Sequence, residues 1–256
     1  MDTPLSSWLT PLIIVVATFI VSGSAMAACA ATHTRQARGS LVVMQTYDEW
    51  EPGMGRIIRQ ITLSPDGTGQ TARLEDGKLK SVTAFSHGGL DDKDMTALNS
   101  ARRSYFLPEE MDPDLIVEGN PRTFQFIVFG ALKVKHIDCH EGAMPDTLKG
   151  VTRTMENMTS PSQAGEKGVY LMARILGESE TREVLKETRP ATAASMDLSA
   201  MPQVETAIDH PYVYTLVPPG EVDRIQDGLK LEKKGEDFFY IAKGAFIYEL
   251  RFHALN

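Results

Sequence analysis

The sequence predicts an α+β fold made of two small domains, each an antiparallel sheet with helices packed on one face. Three observations lead there. Residues 41–86 hold four short runs of strand character, separated by Pro-Gly, PDGTG and Asp-Gly turn signals. Residues 90–106 and 144–158 instead carry apolar side chains at helical spacing, and they flank a hairpin turned at Gly130. After a polar stretch at 160–168, the order of helix after strand and then a glycine-turned hairpin returns, without the residue identity that would mark a duplication. Antiparallel sheet covered by helices on one side is the arrangement that buries such elements.

The chain opens on LTPLIIVVATFIV (9–21), an apolar run followed by the small residues SGSAMAACAA. Ala25 and Ala27 suit the two small positions of a cleavage site, so residues 1–27 read as a secretory signal peptide, although the first eight residues carry Asp2 and no Lys or Arg. Two other readings use the same residues. Met26-Ala27-Ala28-Cys29 is similar to a lipobox, which would place a lipid on Cys29. Residues 9–31, at about 1.5 Å each, are also long enough for an uncleaved anchor across a bilayer of roughly 30 Å. All three readings expect an extracytoplasmic body, touching membrane only through the N-terminal segment or a lipid on Cys29. Residues 28–40 are small and polar and read as a tether.

The first domain is expected over 41–159. Strands at 41–47, 56–64, 70–75 and 78–86 form a meander. A helix follows from residue 90, with Asp91, Asp92 and Asp94 at the end where acids favour the helix dipole. Pro108 stops it, and the acidic segment 108–115 reads as a loop. Strands at 123–130 and 131–138 precede a helix over 144–158, where Pro145 and Asp146 suit the first turn and Leu148, Val151, Met155 and Met158 share a face. Residues 160–168 are the expected linker to a second domain over 169–256. That domain should hold strands at 169–176 and 182–189, an irregular connector, a short helix at 202–208 and a strand at 212–217. A helix at 218–230 and a hairpin around Gly244 complete it.

Composition removes several function classes. Lys and Arg number 26 against 34 Asp and Glu, a net charge of -8, which argues against a nucleic-acid binder in need of a basic face. Two cysteines exclude both a disulfide-rich scaffold and a four-cysteine zinc site. If Cys29 is lipidated, Cys139 is a lone thiol. Otherwise Cys29 and Cys139 either pair in an oxidising compartment or remain two unpaired thiols.

Residues SPDGTGQTARLE, LDDKDMTAL with RRSYF, RTFQFIVFGALKVKHI and PDTLKGVTRTM carry a resemblance over residues 54–158. Their layout resembles small extracytoplasmic domains of unknown function, and a related layout occurs in emfourin-type inhibitors of metalloproteases. The resemblance implies a binding or structural module, not an enzyme, and it carries no site residues across.

The densest set of potential metal ligands is His136-Ile137-Asp138-Cys139-His140-Glu141. On a strand His136, Asp138 and His140 share one face and Cys139 takes the other. Two histidines and a carboxylate are adequate in kind for zinc or non-haem iron. Successive same-face positions on one strand lie about 7 Å apart, however, which is far for one ion. Cys139 and His140 point to opposite sides and do not form a nucleophile–base pair. The chain has no Gly-x-Ser-x-Gly, P-loop, GxGxxG or HExxH. Aromatic residues concentrate at 212–214 and 238–252, where they read as cross-strand core packing or as an exposed face for a peptide or glycan. The resulting expectation is a secreted or envelope-associated, non-enzymatic binding or accessory protein that needs no cofactor and has a protein or peptide partner. A protease inhibitor and a metal-dependent enzyme using 136–141 are the alternatives.

Overall fold

The computed structural model describes residues 41–48, 56–86, 89–107, 122–130, 134–158, 163–187, 190–229 and 238–255. The expected signal peptide, tether and Cys29 lie outside them, as do the acidic loop at 108–115 and residues 160–162. Leu41–Asn256 form one compact unit with an α+β fold.

The first sheet begins with the expected meander: β1 (Val42–Tyr47), β2 (Ile57–Leu63), β3 (Thr68–Glu75) and β4 (Lys78–Ser86). Turns at Gly67 and at Asp76-Gly77 take the left-handed backbone conformation that Gly and Asp tolerate. Helix α1 (Asp92–Ser100) starts where Asp91 accepts the Asp94 N–H at 2.7 Å, a side-chain cap. It ends earlier than residue 106, because β5 (Ser104–Tyr105) pairs in parallel with β7 (Val134–His140). β6 (Thr123–Phe129) and β7 form the predicted hairpin, and α2 (Asp146–Asn157) follows. With β8 (Gln163–Ala164) the sheet runs β5-β7-β6-β1-β2-β3-β4-β8.

The second sheet contains β9 (Gly168–Ile175), β10 (Ala191–Thr192), β11 (Thr215–Val217), β12 (Phe238–Lys243) and β13 (Phe246–Leu255), in the order β10-β12-β13-β9-β11. Helices α3 (Glu178–Glu187), α4 (Pro202–Asp209) and α5 (Glu221–Gly228) lie between its strands in sequence. The strand expected at 182–189 is therefore a helix. Glu180 reaches back to accept the Gly177 N–H at 2.9 Å, and Arg182 pairs with Glu178 one turn away. Helix α3 buries none of its side chains, and Leu185 is 58% exposed. Local charge pairing holds this helix where an apolar stripe is lacking.

Packing follows from strand alternation. Val42, Met44, Ile61, Phe126, Ile137 and Cys139 point to one side of the first sheet, where Leu98 of α1 and Leu148, Val151 and Met155 of α2 cover them. The equivalent core on the second sheet joins Leu171, Ala173, Ile241 and Leu250 to Val204, Ala207 and Ile208 of α4 and Ile225 of α5. The remaining faces of the two sheets meet. Ala72, Leu79 and Val82 pack on Tyr170, Met172, Tyr214 and Leu255, while Val43 and Ile127 pack on Tyr212. The order of layers is helices, sheet, sheet, helices. The segment expected to be a linker carries the chain from one sheet to the other: Gln163–Ala164 pair with β4, and β9 opens at Gly168.

Candidate functional site

The seam between the sheets gathers most of the buried polar groups, and strand register explains how. On the seam face of the first sheet, Asp138 lies beside Gln125, Gln125 beside Gln45 and Gln45 beside Gln60, one residue per strand. Gln125 donates to Asp138 at 2.8 Å, Gln45 donates to Gln60 at 2.8 Å, and the Tyr47 hydroxyl donates to Gln45 at 3.0 Å. The row continues into the second half of the chain, where the Tyr212 carbonyl accepts from Gln60 at 2.7 Å and from Thr62 at 2.8 Å. Farther along, the Gln70 amide grips the Tyr214 main chain from both sides, accepting its N–H at 2.7 Å and donating to its carbonyl at 3.0 Å.

Tyr212 is the central peg. Its φ is +64°, a conformation that a bulky residue adopts only when its surroundings impose it. The constraints are visible. Its N–H donates to Ala173, its hydroxyl donates to Ile175 and its ring lies 5.7 Å from that of Phe129. The strand expected from residue 212 consequently begins only at Thr215.

The second sheet answers with charge. Tyr240, Glu249 and Arg174 are cross-strand neighbours on β12, β13 and β9. Glu249 is 3% exposed and accepts a fork from Arg174, at 3.1 and 2.9 Å, while Arg251 also donates to it. A third Arg174 N–H reaches Glu180 at 2.8 Å, which ties α3 to this cluster. Burial opposes ionisation of Glu249, but the two guanidiniums outweigh it and hold the carboxyl below its usual range. Burial, reinforced by Asp138, pushes the Tyr47 phenol up to about 12, and Arg174 and Glu180 also bear on it.

The sequence-predicted ligands lie beside this seam. His136, Asp138 and His140 share the seam face, and Cys139 points into the helical core. Among the described residues no group of three His, Cys, Asp or Glu side chains gathers as a metal site. Two of the three are engaged elsewhere. Asp138 is engaged by Gln125. His140, 2% exposed, accepts the Gly142 N–H on Nδ1 at 3.2 Å, so the neutral ring carries its proton on Nε2 and offers no lone pair there. Burial pushes both His136 and His140 down from the ordinary histidine value. Cys139 is a free thiol, and burial pushes it up to about 12, away from the thiolate needed for attack or ligation. Cys29, its partner in one of the expected alternatives, lies outside the described residues.

Sequence reasoning missed Arg174, Glu180, Glu249 and the glutamine row. Alternation alone could have flagged Glu249, a charged residue in the run AFIYELRF. The aromatic run at 238–252, expected as cross-strand core packing or as a binding face, divides between the two faces of its sheet. Phe239 and Tyr248 belong to the core, as cross-strand packing predicts. Phe238 and Tyr240 take the other face of β12, half-buried, with ring centroids 5.6 Å apart. The Arg251 guanidinium stacks 5.3 Å over Phe238. No family model, curated protein or solved structure matches the chain.

Proposed function

We propose that this is an extracytoplasmic, non-enzymatic binding or accessory protein, and that its partner is a protein or peptide. The observation that supports this reading is the state of the reactive groups. Asp138 is bonded to Gln125, the His140 ring is fixed by Gly142, and the Cys139 thiol is buried in the core. Among the seam polar groups, Gln60, Thr62 and Gln70 fasten the first sheet to the Tyr212 and Tyr214 main chain. The surface suited to recognition is the patch of Phe238, Tyr240 and Arg251, which pairs aromatic edges with a cation whose side chain is 45% exposed. Aromatic and arginine side chains are the residue types that anchor protein interfaces, and the cation favours a partner segment carrying carboxylates. The test is capture from the extracytoplasmic fraction of the native host by full-length protein, beside a Phe238→Ser, Tyr240→Ser variant of unchanged melting temperature. A partner captured by the native protein and lost by the variant supports the reading. Equal capture by both removes it. Bound zinc or iron in stoichiometric amount would favour the metal-enzyme alternative instead.

A further inference from the structure

His253 lies on the seam face of β13, opposite Tyr170 of β9. Its ring meets Tyr214 edge-on at 5.1 Å, and its buried Nε2 has no hydrogen-bond partner among the described residues. Tyr214 is the residue whose main chain Gln70 of the first sheet grips from both sides. The imidazole therefore backs the residue that fastens one sheet to the other. We propose that the seam is an acid-operated latch: protonation of His253 releases Tyr214 from Gln70 and loosens the second sheet from the first, while each sheet keeps its helical core.

Burial and Arg251 disfavour an imidazolium there, against a smaller opposing pull from Glu249. Strand β13 sets Arg251 on the same face, a cation that opposes a second one, with Glu249 beyond it already shared between Arg174 and Arg251. β9 contributes Tyr170, and the segment before β11 contributes Tyr214, whose phenol burial keeps neutral. β4 contributes Leu79 and Val82 to the same apolar cluster, while its Lys78 and Lys80 face solvent. Burial, with Arg251, pushes His253 down from the ordinary 6.5 to about 4. The sign follows. The closed seam holds the neutral ring, so its stability is complete above pH 6.5 and is lost as pH falls toward 4.

The test is amide hydrogen exchange on the full chain, corrected for intrinsic rates, at pH 8 and pH 4.5. Opening of the Tyr214 amide should rise roughly 75-fold on acidification, while Met44 and Phe126 amides in the first sheet stay protected. In His253→Phe the rise should vanish. In Gln70→Ala the Tyr214 amide should already be open at pH 8. An equal rise in His253→Phe, or loss of Met44 and Phe126 protection together with Tyr214, would overturn the latch. If His253→Phe does not fold, the native imidazole titration is compared with Tyr214 opening by NMR. Coincident midpoints support the latch, and separate midpoints overturn it.

Discussion

Replacing Arg174 by methionine should reveal what the charge cluster contributes. Glu249 is 3% exposed, and Arg174 supplies two of its hydrogen bonds. Removing one partner of a buried ion pair costs about 3–5 kcal/mol when the remaining charge is left alone. Two features lower that here. Arg251 still donates to Glu249, and Arg174 is itself 31% exposed, so solvent already screens part of its interaction. The expected loss is about 2 kcal/mol, read as a fall in urea midpoint with an unchanged denaturant slope. Adding Glu249→Leu should restore at least half of it, because an apolar pair of similar volume removes the stranded carboxylate. The native cluster also has an acid signature. The Glu249 carboxyl is held below its usual value, so its contribution is present above that value and disappears as pH falls through the depressed one. A loss below about 0.5 kcal/mol in Arg174→Met, or strictly additive losses in the double variant, would refute this reasoning.

Three further outcomes are expected. Gln60→Leu should cost about 2 kcal/mol in chemical denaturation, since it strips the Tyr212 carbonyl of one donor and Gln45 of its acceptor inside the seam. Gly69→Ala should cost roughly 1–3 kcal/mol, because its new methyl group would lie 2.4 Å from the Phe85 ring, and Phe85→Leu in the same chain should recover part of that in a thermal melt. In a Cys29→Ser chain, Cys139 should ignore an aromatic disulfide reagent at pH 8 and react fully in urea. Rapid labelling of folded protein would place the thiol outside the core.

The elements legible in the sequence are those whose burial follows local periodicity. The meander over 42–86 and the apolar stripe Leu148, Val151 and Met155 each face a single core, so alternation and helical spacing report them directly. Helix α3 was not legible in that way. Residues 182–187 bury nothing, and what makes them helical is Glu180 turning back on Gly177. Tyr212 was misread for the opposite reason. Its neighbours have strand character, but contacts with Gln60, Thr62 and Ala173, distant in sequence, force it out of the strand region. The candidate site divides similarly. The shared face of His136, Asp138 and His140 follows from the two-residue period of a strand. Their engagement by Gln125 and Gly142 depends on cross-strand register and the turn after β7. Arg174 and Glu249 are 75 positions apart, and only the pairing of β9 with β13 brings them together.

Under the proposed function, recognition runs through the Phe238–Tyr240–Arg251 patch, and the remaining seam polar groups serve as structure. Photo-crosslinking in the native host addresses this most directly, with benzoylphenylalanine replacing Tyr240 in one strain and Leu185, exposed on α3, in another. A discrete protein adduct is expected from position 240, absent from position 185 and lost with Arg251→Glu. No adduct at 240, or the same adduct from both positions, would contradict it.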